Sequence, residues 1–416
     1  PTLEEVADSA KKIAAFRSWL SHHGATYDLL DIRWSVSFGF HLTASHPVAV
    51  GDTLARVPKG LMIGPRMVDS MQKERSLLQG LSWPDQSQVM LMKEHCDPHS
   101  FFKPYLNMLP QTFDTPIFWS REEASQLIGS PVLERAIATR RELWQSYQRV
   151  KGEVFDKAPG TFPAKCCTYD RFVWAYSTVR SRAFGNHTLV PLIDLMNHSP
   201  SSRLAPTLRN DGSEMLSAMS PLSAGDTVWG FYGLKSDSEL ALNYGFTLAP
   251  TQNNPFNSAE IRAQLELDGS HTAITAGMKQ LLLSSTGLRW NEVHRFEVFK
   301  GHIPHTLMSI LRLNSVNDTD GEEIAWRSME GDSDPPSPLF RTGEASDREG
   351  TLLHRVERDA WQRLASLCEG RLAAFPTTLS DDLIALRRPM IDPRLLLALA
   401  LRIGEKDVLS VCVSEA

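Results

Sequence analysis

Cysteine is scarce in this sequence and shows no pattern of ligands or cross-links. The five cysteines (Cys96, Cys166, Cys167, Cys368, Cys412) include one adjacent pair and no C-x-x-C spacing, which argues against a zinc cage or a disulfide framework. Thirteen histidines supply no H-E-x-x-H and no other ligand spacing, so no metal is expected. No run of about 18 apolar residues occurs, so no membrane-spanning helix is expected. Positive charge is not in excess either: the formal net charge is -6, which gives no signal for nucleic acid. No repeat of about 20–50 residues is visible, so nothing points to a repeat architecture. Scattered cysteines fit an intracellular, reducing compartment, with cytoplasmic, nuclear and organellar settings all open. Because the chain starts at Pro1 rather than Met, the lack of a visible transit peptide decides nothing.

What is present is an ordinary globular composition, 42% hydrophobic and 22% charged over 416 residues, enough for two or three domains. Val6, Ile13, Phe16 and Leu20 have helical spacing with Gly24 as a stop, so residues 1–27 read as an N-terminal helix. From about 28 to 63 the texture alternates and is punctuated by Gly51-Asp52, which reads as short strands. A helical insertion spans about 66–165, with Leu133, Ile137, Leu143, Tyr147 and Val150 on one face. Strand texture returns over 188–232. The fold class is therefore α+β, with a β unit over 28–250 that is split by the insertion. Residues 251–416 read as an all-helical lobe, with Leu353, Val356, Trp361, Leu364 and Leu372 on one side of a helix. Within it, residues 316–349 carry ten Asp or Glu against three Arg and a PPSP run, the composition of a solvated, flexible loop.

Residues 189–200, LVPLIDLMNHSP, pose the functional question. Alone, they read as a core strand entering a turn, with Asp194 as a local cap. Two further blocks share their neighbourhood: SVSFGFHLTA (35–44) and GDTVWGFYGLKSDSELALNYGF (225–246). The order is a Gly-centred turn, R-x-F before an apolar-D-x-x-N-H, G-D-T-V-x-x-x-Y-G, then K-S-D-x-E-L-x-L-x-Y-G-F. It resembles SET-domain protein methyltransferases of the Rubisco large-subunit methyltransferase-like group. Segments such as FKGHIPHTLMSILRL and LALRIGEKDVLSV resemble that group's helical substrate-binding domain, and the likeness runs from about residue 10 to 412.

The resemblance implies a SET β-fold, S-adenosylmethionine as cofactor and methyl transfer to a lysine of a protein held by the helical lobe. It implies that Asn197 and His198 border the cofactor, with Asp194 bracing their turn and Arg182 meeting the cofactor carboxylate. Phe38 and Phe40 would line the opposite wall. Tyr232 corresponds to the catalytic tyrosine, which also contacts the cofactor, and Phe184, Tyr244 and Phe246 to the lysine channel. An aromatic at Phe184 favours lysine over histidine, where an amide would suit an imidazole. Two positions depart from the pattern: Phe38 replaces an acid, and His41 replaces a glycine that lets backbone approach the cofactor. Asp237 stands for the common Asn. These departures motivate an alternative, a catalytically degenerate SET-fold protein serving in binding or assembly.

Overall fold

The computed structural model describes residues 2–72, 74–248, 254–267, 271–329 and 352–416. The chain forms two compact units. One comprises the chain up to Phe118, Ala136–Lys235 and Leu242–Gly245; the other comprises Trp119–Arg135, Ser236–Ala241 and Phe246–Ala416. The units thus do not divide at a single point in the chain.

The first unit opens with the helix Leu3–His22. Thr2 Oγ1 accepts the Glu5 amide at 3.2 Å while Glu5 accepts the Thr2 amide at 2.7 Å, a reciprocal cap that satisfies two otherwise orphaned donors. The helix buries Phe16, Trp19 and Leu20 and leaves Val6 exposed. Strands Leu30–Ser35 and Gly39–Ala44 form an antiparallel hairpin in which Ser35 pairs with Gly39. Gly39 takes φ +61° at the turn, where a side chain would be strained. The strand Thr53–Val57 pairs antiparallel with Glu214–Ser217, and the Val228 amide donates to Leu42 O at 2.9 Å. The two β segments therefore meet directly, and the helical insertion between them is an excursion, as the texture suggested.

Within that excursion, the helices Trp83–Cys96 and Tyr169–Arg182 pack together. Cys96 and Cys166 are paired, with Cα atoms 5.7 Å apart. The sequence reading expected no disulfide framework. A single link spanning 70 residues has no local spacing signature, which is why it was invisible there. The core contains Leu42, Leu54, Val89, Leu91, Phe172, Leu189, Leu192 and Ile193.

The stretch LVPLIDLMNH is not one strand. Only Thr188–Leu189 and Asn197–His198 are extended, with a 3-10 turn at Ile193–Leu195 between them. Its residues are apolar because they are buried on all sides, which periodicity cannot distinguish from a strand.

Among its described residues, the second unit is helical apart from one antiparallel pair, Ser258–Ala263 with His294–Phe299. Helices Ala273–Ser285, His305–Asn314, Leu352–Ala373, Leu379–Leu386 and Pro393–Glu415 enclose Ile261, Leu283, Ile310, Leu364 and Leu409. Of the acidic stretch 316–349 read as a loop, Asp318–Met329 is instead a helix; Asn317 accepts the Asp320 amide at 3.0 Å and initiates it. Residues 330–349 lie outside the described residues. Among the described residues, no helix is long and apolar enough to cross a membrane.

Candidate active site

The first unit gathers most of the implied site residues around one turn. Arg182 ends the helix Tyr169–Arg182, which Thr168 caps by accepting the Arg171 amide at 3.4 Å. The chain then folds back through the short pair Ala183–Phe184 and Thr188–Leu189. Leu192 has φ 74° and ψ -55°, a γ-turn conformation that costs a non-glycine residue about 1–3 kcal/mol. Complete burial of its side chain holds it there. This strained residue turns the chain so that Asp194 O accepts Arg182 Nη1 at 2.8 Å. The Asp194 carboxylate is fully buried, 3.7 Å from Arg182 Nη1 through Oδ2, and accepts the Tyr105 hydroxyl at 2.7 Å. Burial pushes its pKa up to about 6, against the pull of Arg182 and Tyr105.

Asn197–His198 next runs parallel to Trp229–Gly230. Gly230 fits closely: a Cβ there would lie 3.2 Å from Met196 Cβ, tighter than ordinary contact. The Tyr232 hydroxyl donates to Met196 O at 2.6 Å, and burial pushes its pKa well up, so it stays a neutral donor. Its ring stacks on Tyr244 at 4.7 Å and on His198 at 5.1 Å between centroids. His198 Nδ1 accepts the Tyr232 amide at 3.3 Å. Burial lowers the His198 pKa, which keeps the imidazole neutral with its proton on Nε2.

The hairpin turn closes the other side. Asn197 Nδ2 donates to Phe38 O at 3.3 Å, and the Phe38 ring meets Trp229 edge-on at 5.5 Å. His41 does not project from the turn: it is buried, and its Nδ1 contacts Gly39 O at 3.0 Å. The Phe38 ring lies 5.6 Å away from it. The imidazole that replaces a glycine is thus folded onto its own hairpin. Phe40 packs against the core.

Phe38, Arg182, Asp194, Asn197, His198, Tyr232 and Tyr244 are therefore brought together. Phe184 sits in its two-residue strand against the core, and Phe246 belongs to the second unit. Tyr105, in the short helix Lys103–Leu106, was missed. It lies 89 residues before its partner in an insertion that reads as a spacer. A guanidinium suits a carboxylate, aromatic rings suit a sulfonium, and an amide suits an amino-acid head group. The donor set thus fits the implied cofactor. No group of His, Cys, Asp and Glu able to hold a metal occurs among the described residues.

Comparison with known proteins agrees. The Rubisco LSMT substrate-binding family matches residues 272–409. A chloroplastic fructose-bisphosphate aldolase-lysine N-methyltransferase of Arabidopsis thaliana is 30% identical over 89% of this chain and 76% of its own. The actin-histidine N-methyltransferase of Mus musculus is 26% identical over 96% of this chain and 67% of its own. Rubisco LSMT bound to sinefungin and monomethyllysine superposes with a TM-score of 0.79 at 25% identity, covering 97% of this chain and 91% of that one. The chain belongs to the SET-domain protein methyltransferases of the Rubisco large-subunit methyltransferase-like group, whose cofactor is S-adenosylmethionine.

Proposed function

We propose that this protein methylates the side-chain amine of a lysine in another protein, and that the residues gathered around the Ile193–Met196 turn perform the transfer. One observation carries the reading: the Tyr232 hydroxyl is locked onto Met196 O at 2.6 Å, beside the ring of Tyr244. With its proton committed to that carbonyl, the oxygen keeps lone pairs for an incoming amine and for methyl hydrogens polarised by a neighbouring positive charge.

S-adenosylmethionine supplies a methyl group already activated on a sulfonium. Arg182 would receive its carboxylate, Asn197 its amino-acid portion and the main chain of Asn197–His198 its adenine. Asp194 braces this wall, and Phe38 and Phe40 form the facing one. A lysine amine with pKa near 10.4 costs roughly 4 to 5 kcal/mol to deprotonate at neutral pH. Desolvation of the ammonium beside the Tyr244 ring, with Phe184 in the same unit, lowers that cost. What remains is alignment of amine and methyl, which positioning alone accelerates by several orders of magnitude.

The helical lobe holds the protein substrate. Supporting this is a cleft of about 1050 Å³ lined by Arg262, His271, Asn314, Asp359, Gln362 and Arg363, the last four of which fall in the region that matches a substrate-binding family. Lysine is favoured over histidine by Phe184 and by the lysine specificity of the 30% identical relative. We read the enzyme as intracellular, a reading that the free thiols of Cys167, Cys368 and Cys412 favour and the Cys96–Cys166 link opposes. Nothing among the relatives supports the degenerate alternative.

Calorimetric titration with S-adenosylmethionine tests the reading, followed by transfer assays on fructose-bisphosphate aldolase and the Rubisco large subunit. Saturable cofactor binding and methyl-lysine in an acceptor are expected. Absence of binding at millimolar cofactor would refute it.

A further inference from the structure

We propose that Tyr105 is a positioning residue of the transfer site, its hydroxyl fixing the buried Asp194 carboxylate that in turn sets the Arg182 guanidinium. Tyr105 is fully buried and its ring stacks on Phe16 at 6.1 Å. A core tyrosine needs only some acceptor for its hydroxyl. Here the acceptor is a carboxylate with a fully buried side chain, in the turn that carries the site, at 2.7 Å. Among the described residues, the other oxygen, Asp194 Oδ1, has no hydrogen-bond partner. The charge of Asp194 is therefore balanced by Arg182 and one donated hydroxyl.

The consequence is a short chain of dependence. Tyr105 donates to Asp194 Oδ2, and Arg182 donates to Asp194 O at 2.8 Å. Two residues further on, Met196 O accepts the Tyr232 hydroxyl. The Ile193–Leu195 turn is thus pinned at its centre, Asp194, by Tyr105 and Arg182 and just past its exit by Tyr232. A hydrogen bond donated to a carboxylate favours its ionised form. Without the Tyr105 hydroxyl, burial pushes Asp194 further toward its neutral form, and the attraction that holds Arg182 in place weakens. The groups facing Asp194 are Tyr105, Arg182 and Tyr232. His198, on the adjoining strand, is the neighbouring imidazole that also titrates.

The inference rests on the reading that Arg182 receives the cofactor carboxylate, so the experiment separates the two. Calorimetry measures the Kd of S-adenosylhomocysteine from about pH 5 to pH 8 for the unmodified protein, Tyr105→Phe, Asp194→Asn and Arg182→Lys. The unmodified protein should lose affinity as pH falls through about 6, where Asp194 protonates. In Tyr105→Phe that midpoint should move to higher pH. On its acid side, affinity should drop about tenfold for every pH unit the midpoint has risen. Asp194→Asn should bind weakly and without this pH dependence. A folded Tyr105→Phe with unchanged midpoint and affinity overturns the proposal, as does an Asp194→Asn protein that keeps the midpoint, which would assign it to His198. If Tyr105→Phe does not fold, the Asp194→Asn profile decides. If Arg182→Lys binds as tightly as the unmodified protein, the reading of Arg182 fails instead.

Discussion

Replacing Tyr232 with Phe removes a single oxygen and is the sharpest test of how the site works. The ring should stay in place, because its stacks on Tyr244 and His198 at 4.7 and 5.1 Å do not involve the hydroxyl. What is lost is the 2.6 Å bond to Met196 O. A buried acceptor deprived of its donor costs about 1–3 kcal/mol, so melting should fall by several degrees without unfolding the protein. Activity should fall much further. A donor or acceptor aimed at the reacting atoms is typically worth about 10²–10³ in turnover. Because its contact with the polarised methyl group strengthens most in the transition state, the cofactor Kd should change far less than turnover, staying within about twofold. Transfer of a radiolabelled methyl group to an accepted protein substrate, with calorimetry in parallel, measures both. Unchanged turnover in a folded Tyr232→Phe protein would refute the catalytic role, and a matching loss of cofactor affinity would make the residue a binding group.

Two further predictions concern the second unit. Asp382 is fully buried and accepts Arg402 at 2.8 Å and Lys406 at 2.6 Å. Lys406→Met removes half of that compensation and should destabilise the unit by about 3–5 kcal/mol; a melting curve that does not move contradicts this. Glu405, in the same helix, accepts Ser130 at 2.7 Å and Ser238 at 2.9 Å, and burial pushes its pKa from 4.5 up to about 7. The fold therefore favours the protonated acid. Its contribution is complete below pH 4.5 and is lost as pH rises through about 7, a change on the order of 3 kcal/mol. Glu405→Gln should flatten that part of the stability profile, and an unaltered slope in chemical denaturation would refute it.

The sequence by itself determined a good deal. The blocks at 35–44, 174–199 and 225–246 identified the family because each places specific polar residues inside apolar runs, where composition alone would not put them. The caps at Thr2 and Thr168 were set locally as well, since an N-cap bonds a backbone amide within three residues. The acidic stretch beginning at Val316 was less legible. Composition predicted a loop, and a local Asn317 cap with packing neighbours made part of it a helix. Only the tertiary structure decided that Asn197 meets Phe38 O across 159 residues, that Tyr105 meets Asp194 across 89, and that His41 turns back onto its own hairpin. The physical reason lies in chain statistics. Periodicity reports which face is buried, whereas the entropy of closing a loop grows only slowly with its length. Local pattern therefore leaves the choice of distant partner open, and packing makes it.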